Sequence, residues 1–193
     1  MEKYASADAL IAAYKPERPI LGIRPHAAAR AARWFIDNFP GDVAYAYKAN
    51  SSVFLLGALY GAGIRHFDVA SLVELEDAVT IPGVHLHFMH PVKSRLAIRR
   101  AYELGVRTFS LDSEDELRKI HEETDGARDL VLLGVAGSDP AGSGLLPDPT
   151  RVRVLLSAAS AAGITQVVAL SSAMVYGGWQ NNPVPLTEEA PVR

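Results

Sequence analysis

A chain of 193 residues can hold one large domain or two small ones around a sizeable apolar core, and its 49% hydrophobic and 21% charged residues exclude disordered and fibrous classes. A formal charge of -3 without a basic block argues against a nucleic-acid partner, and the absence of cysteine excludes disulfides, thiolate metal sites and cysteine nucleophiles. No run approaches the roughly 20 apolar residues of a membrane span. Glu2, Lys3, Asp8, Lys15 and Glu17 interrupt any signal-peptide core, so the cytoplasm is the expected location.

In chain order, residues 1–18 read as an N-terminal extension. The repeating pattern begins at a strand over Pro19–Ile23 and a helix over Ala27–Asn38. It continues with strands at Val43–Tyr47, His66–Val69, Val84–Met89, Thr108–Leu111 and Leu130–Val135. Helices at Ser52–Ala62, Ser71–Val79, Ser94–Leu104 and Glu114–Thr124 lie between them. Gly61, Gly63, Gly105, Gly126 and Gly163 stand where helices should close, and Asp112-Ser113-Glu114 is a polar helix start. Strand, helix, strand in strict alternation requires crossover connections. The fold class expected is therefore α/β, a mainly parallel sheet of repeating βα units. Even spacing fits either a partial TIM-barrel-like arrangement or an open Rossmann-like sheet. Residues 19–135 form this segment. Residues 136–149 are rich in glycine and proline and read as a loop, and residues 150–193 supply a helix over Thr150–Ala162, a strand over Gln166–Leu170 and a tail.

Val43-Ala44-Tyr45-Ala46-Tyr47-Lys48-Ala49-Asn50 is an apolar strand that ends in a lysine, at the sheet edge where α/β proteins gather reactive groups. A lysine desolvated there can form an imine with an aldehyde, although a solvated strand-end lysine is the commoner case. Four blocks in order sharpen the reading: Tyr45-Ala46-Tyr47-Lys48-Ala49-Asn50; Asp68-Val69-Ala70-Ser71-Leu72-Val73-Glu74-Leu75 after Gly61-Ala62-Gly63; His90-Pro91-Val92-Lys93; and Phe109-Ser110-Leu111-Asp112-Ser113 through Ile120. Over roughly residues 18–130 the chain resembles the pyridoxal-phosphate barrel of the alanine-racemase-like, fold-type III enzymes, nearest the ornithine, lysine and diaminopimelate decarboxylases. The third block departs from the family's Asn-Pro-x-Lys by carrying a histidine.

The resemblance implies that Lys48 holds pyridoxal phosphate as an imine, with Asp68 beside it and Glu74 and His90 contributing to cofactor binding. It also implies a lyase whose small-molecule substrate is an amino acid. The family's ring-stacking histidine, glycine-rich phosphate loop, acidic partner of the pyridine nitrogen and closing β-domain have no recognisable counterpart here. The expectation is thus an incomplete enzyme, with an inert α/β structural or assembly module as the alternative. An unclosed sheet would expose edges that a second copy could cover, giving a homo-oligomer. Each singled-out residue has a plainer reading too. Asp68 is a strand-end polar group and Glu74 a partner of a helix dipole, while His90 and Lys93 could bind an anion but are equally well explained as solvated. His85 and His87 share one strand face, but no third ligand is placed and no metal site is expected.

In the second half, Gly134-Val135-Ala136-Gly137 hints at a dinucleotide turn. Pro140 stands where a third glycine is needed and no acidic ribose partner follows, so NAD is not expected. Val167 to Gly177 with Pro185-Leu186-Thr187-Glu188-Glu189 resembles an internal fragment of the extended short-chain dehydrogenases, the NAD-dependent epimerase group. That resemblance would make Ser172 a substrate-orienting hydroxyl. Two partial likenesses meeting near residue 130 suggest a chimera.

Overall fold

A computed structural model describes residues 3–135 and 149–170 of the chain. They divide into two compact units, residues 3–43 with 49–65, and residues 44–48 with 66–135 and 149–170.

The first unit is helical: α1 (Ala7–Tyr14), α2 (Pro25–Asn38) and α3 (Val53–Ala62). Ser6 starts α1 by accepting the Ala9 N–H at 3.1 Å, and Pro25 starts α2, where its missing N–H costs nothing. Helix α2 packs on α3, and α3 closes at Gly63, whose φ of +113° is open to glycine and strained for other residues. The expected strand over Pro19–Ile23 does not form. Pro19 has no N–H for a ladder, and no described strand pairs with this stretch. Helix α1 lies inside the supposed extension and buries none of its residues, so no apolar stripe announced it.

The second unit holds the sheet: β1 (Ala44–Ala46), β2 (His66–Val69), β3 (His85–Phe88), β4 (Thr108–Leu111), β5 (Val131–Val135) and β6 (Gln166–Leu170). All neighbouring pairs are parallel and the order is β1-β2-β3-β4-β5-β6. A doubly wound sheet reverses its order at a switch point. No reversal occurs among the described strands, so the winding is that of a barrel segment. The intervening helices α4 (Leu72–Ala78), α5 (Arg95–Glu103), α6 (Glu114–Glu123) and α7 (Pro149–Ala161) pack each on the next. Ser71, Ser94 and Ser113 cap the first three, each accepting an N–H from three residues on. Gly61 is inside α3 and closes nothing, whereas Gly105, Gly126 and Gly163 take positive φ as expected.

Register separates the two faces of the sheet. Tyr45, Phe67, Leu86, Phe88, Phe109 and Leu132 share one face, on which Phe67 and Phe109 are fully buried. Leu75, Ala78, Ile98, Ala101, Leu117 and Ile120 supply the buried sides of α4 to α6. Truncating any of the large side chains to alanine would cost about 2–5 kcal/mol. The other face carries Ala46, His66, Asp68, His85, His87, Thr108 and Ser110. Alternation thus sends the apolar residues under the helices and collects the reactive ones opposite.

Candidate active site at the end of the first strand

Strand β1 is shorter than expected because Tyr47–Ala49 tightens into a 3-10 turn. Lys48 is the middle residue of that turn and is exposed, while Tyr47 before it is 3% exposed. The Tyr47 ring stands edge-on to Phe67, with centroids 6.4 Å apart, and its hydroxyl donates to the Asp77 carboxylate of α4. Burial first, then the Asp77 bond and the charges of Asp77 and Glu74, push the Tyr47 phenol up to about 12.

Asp68 is the residue that the sequence sets beside Lys48, and in the structure the Lys48 charge acts on its carboxyl from the neighbouring strand end. Asp68 lies opposite Ala46 on the neighbouring strand, half-buried. Burial raises its carboxyl above the ordinary range. The Lys48 charge pulls it down, and Glu74 adds to the rise. Glu74 also closes the start of its own helix, where its Oε2 accepts the Ala70 N–H at 2.9 Å and its N–H donates to Ser71 Oγ at 3.2 Å. Ser71-x-x-Glu74 has the spacing of a capping box, but the glutamate takes the N–H of Ala70, one residue before the capping serine.

His90 is exposed, and its Nδ1 accepts the Val92 N–H at 3.1 Å. Asn50 Oδ1 holds the Ser52 N–H in the same two-residue pattern, at 2.9 Å. The histidine therefore reproduces the turn an asparagine would make at position 90. Lys93 is buried, which overturns the solvated one of its two readings. The residue is 4% exposed, its ammonium donates to the carbonyls of His90 at 3.0 Å and Ser110 at 2.6 Å, and it meets Glu116 Oε1 at 2.8 Å. Burial depresses its basicity and Glu116 works against that. Glu116 takes Lys119 on its other oxygen at 2.5 Å.

His85 and His87 do share a face, and the register adds His66, which sequence spacing could not supply. His66 Nδ1 lies 2.9 Å from His87 Nε2, and the His66 and His85 rings stack with centroids 4.8 Å apart. Among the described residues, no cluster of three or more His, Cys, Asp or Glu residues is arranged to hold a metal. Ser172 lies outside the described residues. Gly134 and Val135 belong to β5, so the start of the supposed dinucleotide turn is strand. No described helix is long and apolar enough to cross a membrane.

Residues 26–146 match the family model described as pyridoxal-dependent decarboxylase, pyridoxal binding domain. Among curated proteins, a lysine/ornithine decarboxylase of Selenomonas ruminantium is 36% identical over 95 residues, which are 48% of this chain and 24% of that protein. A diaminopimelate decarboxylase of Pseudomonas fluorescens is 38% identical over 86 residues, 42% of this chain and 20% of that one. Among solved structures, a lysine decarboxylase from Selenomonas ruminantium superposes with a TM-score of 0.66 at 25% identity, covering 86% of this chain and 44% of that one. The chain thus spans less than half the length of these relatives.

The family match runs past residue 130, where a junction was expected, and β6 continues the same parallel repeat on β5. Residues 130–146 read as decarboxylase, not as the start of an epimerase fragment, and the comparisons lend the chimera no support. The match takes in more than half of the chain, together with the β1 lysine turn and the Asp68 strand. The chain belongs to the pyridoxal-dependent decarboxylase family, as part of its pyridoxal-binding domain.

Proposed function

We propose that Lys48 is the residue that binds pyridoxal phosphate covalently, and that the chain is the cofactor-holding part of an amino-acid decarboxylase. The observation that carries this is the contrast between its two motif lysines. Reaction with an aldehyde needs an amine that can lose a proton and reach the carbonyl carbon. All three donors of Lys93 are engaged inside the protein, whereas Lys48 is exposed at the end of β1.

The described residues fit the aldehyde end of the cofactor. Asp68 faces Lys48 with a carboxylate that burial has made more basic than usual, suited to holding the ammonium in place and to taking up a proton from it. Glu74 keeps the start of α4 closed beneath Asp68 and adds negative charge to it. His90, exposed past β3, supplies a side chain that can meet an anion. Once bound, the cofactor supplies a ring that accepts electrons as carbon dioxide leaves the substrate. A basic amino acid is the proposed substrate class, in line with the lysine and ornithine decarboxylase names of the relatives, and a homo-oligomer is the proposed assembly.

Incubation with pyridoxal phosphate followed by borohydride should leave one stoichiometric adduct, which peptide mass analysis places on residues 43–50. Lys48→Ala should abolish it and leave weak labelling of other lysines unchanged. Equal labelling of the variant would overturn the proposal and favour the inert-module reading.

A further inference from the structure

We infer that Tyr47 and Asp77 form a latch that positions Lys48 against Asp68. The inference rests on the proposed role of Lys48 and adds two residues to it. A lysine side chain has four rotatable bonds, so where its amine dwells depends on how firmly its backbone is held. The ladder that precedes Lys48 is only three residues long: Ala44, Tyr45 and Ala46 pair with His66, Phe67 and Asp68. A 3-10 turn follows at once, and such turns have poorer hydrogen-bond geometry than a strand or an α-helix.

What fixes the turn is Tyr47. It is 3% exposed, packs edge-on against Phe67 of β2, and donates its hydroxyl to Asp77 near the end of α4. The anchor therefore reaches both elements that carry the residues around Lys48. Phe67 precedes Asp68 in β2, and Glu74 stands one helical turn before Asp77 in α4. The phenol stays protonated because burial and the neighbouring carboxylates oppose its ionisation, so it remains a donor throughout the neutral range. The latch touches no reacting atom. It acts through the backbone of the next residue.

The test is a double-mutant cycle on the full chain that needs no cofactor. Lysines are labelled as 13C-dimethyl derivatives, which keep their charge, and the Lys48 methyl resonance is followed by NMR at neutral pH. In the wild-type background Asp68→Asn should shift the Lys48 methyl resonance, because it removes a neighbouring carboxylate. In a Tyr47→Phe background, which keeps the ring, and in Asp77→Ala, that response should shrink by more than half. Asp77→Asn retains an oxygen acceptor and should restore it. An equal Asp68→Asn response in all backgrounds overturns the latch, as does failure of Asp77→Asn to differ from Asp77→Ala. Thermal melts and circular dichroism identify any variant that has lost its fold. In that event Asp77→Asn against wild type carries the decision, with a response less than half that of wild type overturning the latch. The cofactor reading fails separately, through an absent borohydride adduct on the wild-type protein.

Discussion

Lys48 and Lys93 follow alternate strands of one sheet, β1 and β3, yet their surroundings are opposite. Lys93 is enclosed, with three oxygen partners from a loop, a strand and a helix. It ties the chain after β3 to β4 and α6, and Glu116 accepts the Lys93 backbone N–H as well, at 3.1 Å. Lys48 is exposed, its charge acts on one half-buried carboxylate, and its neighbour Tyr47 is anchored to Asp77. A buried ammonium with every donor satisfied contributes architecture. An exposed one at a strand end leaves its lone pair available on loss of a proton, and that freedom suits chemistry.

The sharpest way to break this comparison is Lys93→Ala. It would leave Glu116 buried with Lys119 as its remaining cation, and stability to urea should fall by about 3–5 kcal/mol. A loss under about 1 kcal/mol would mean that the enclosed pair does little for the fold.

Next in size is an alkaline effect. The Tyr47 phenol is raised from the usual 10.0 to about 12, so the folded chain holds that proton more tightly than the unfolded one. Its contribution is complete below pH 10 and is lost as pH rises from 10 through 12, a change on the order of 2–3 kcal/mol. The stability of wild type relative to Tyr47→Phe should decline across that window. A constant difference would contradict the buried hydrogen bond.

A smaller loss is expected at the α4 cap. Ser71→Ala removes the acceptor of the Glu74 N–H and should cost about 0.5–2 kcal/mol, measurable by thermal melting. An unchanged melt would show that Glu74 caps the helix alone.

The smallest effects belong to the Lys48 side of the comparison. Lys48→Ala should change stability by no more than about 0.5 kcal/mol, as at other exposed positions. Asp68 is raised in the fold, so its contribution is most favourable below the ordinary carboxyl pKa and falls as pH climbs through the raised value. At neutral pH the charge is a cost that Lys48 partly offsets. Asp68→Asn should therefore leave the melting temperature level or slightly higher while reducing adduct formation at Lys48. A clear drop in melting temperature would make Asp68 a structural residue.

Much of the architecture was legible because it is local. His66–Val69, Thr108–Leu111 and Gln166–Leu170 have the bounds that β-branched and aromatic clustering predicts, and the serines before α4, α5 and α6 mark helix starts. The pairing of the Lys48 strand with the Asp68 strand was legible through motif order and strand spacing. What stayed hidden depends on partners far along the chain. Glu116 lies 23 residues from Lys93, and Asp77 lies 30 from Tyr47. No sequence period links such pairs. His66 joined the other histidines only once the register set it opposite His85.

The unbroken strand order also has a kinetic meaning. Ala44 pairs with His66, His66 with His85, Thr108 with Val131, and Val131 with Gln166. Each new strand closes a loop of modest length onto the one just laid down, the longest being the one before β6, and loop-closure entropy grows only slowly with length. None of these pairs has to wait for a distant segment, so the contact order stays low for a parallel sheet. The ladder can grow in the direction of synthesis, one strand and one helix at a time, with each unit serving as the template for the next.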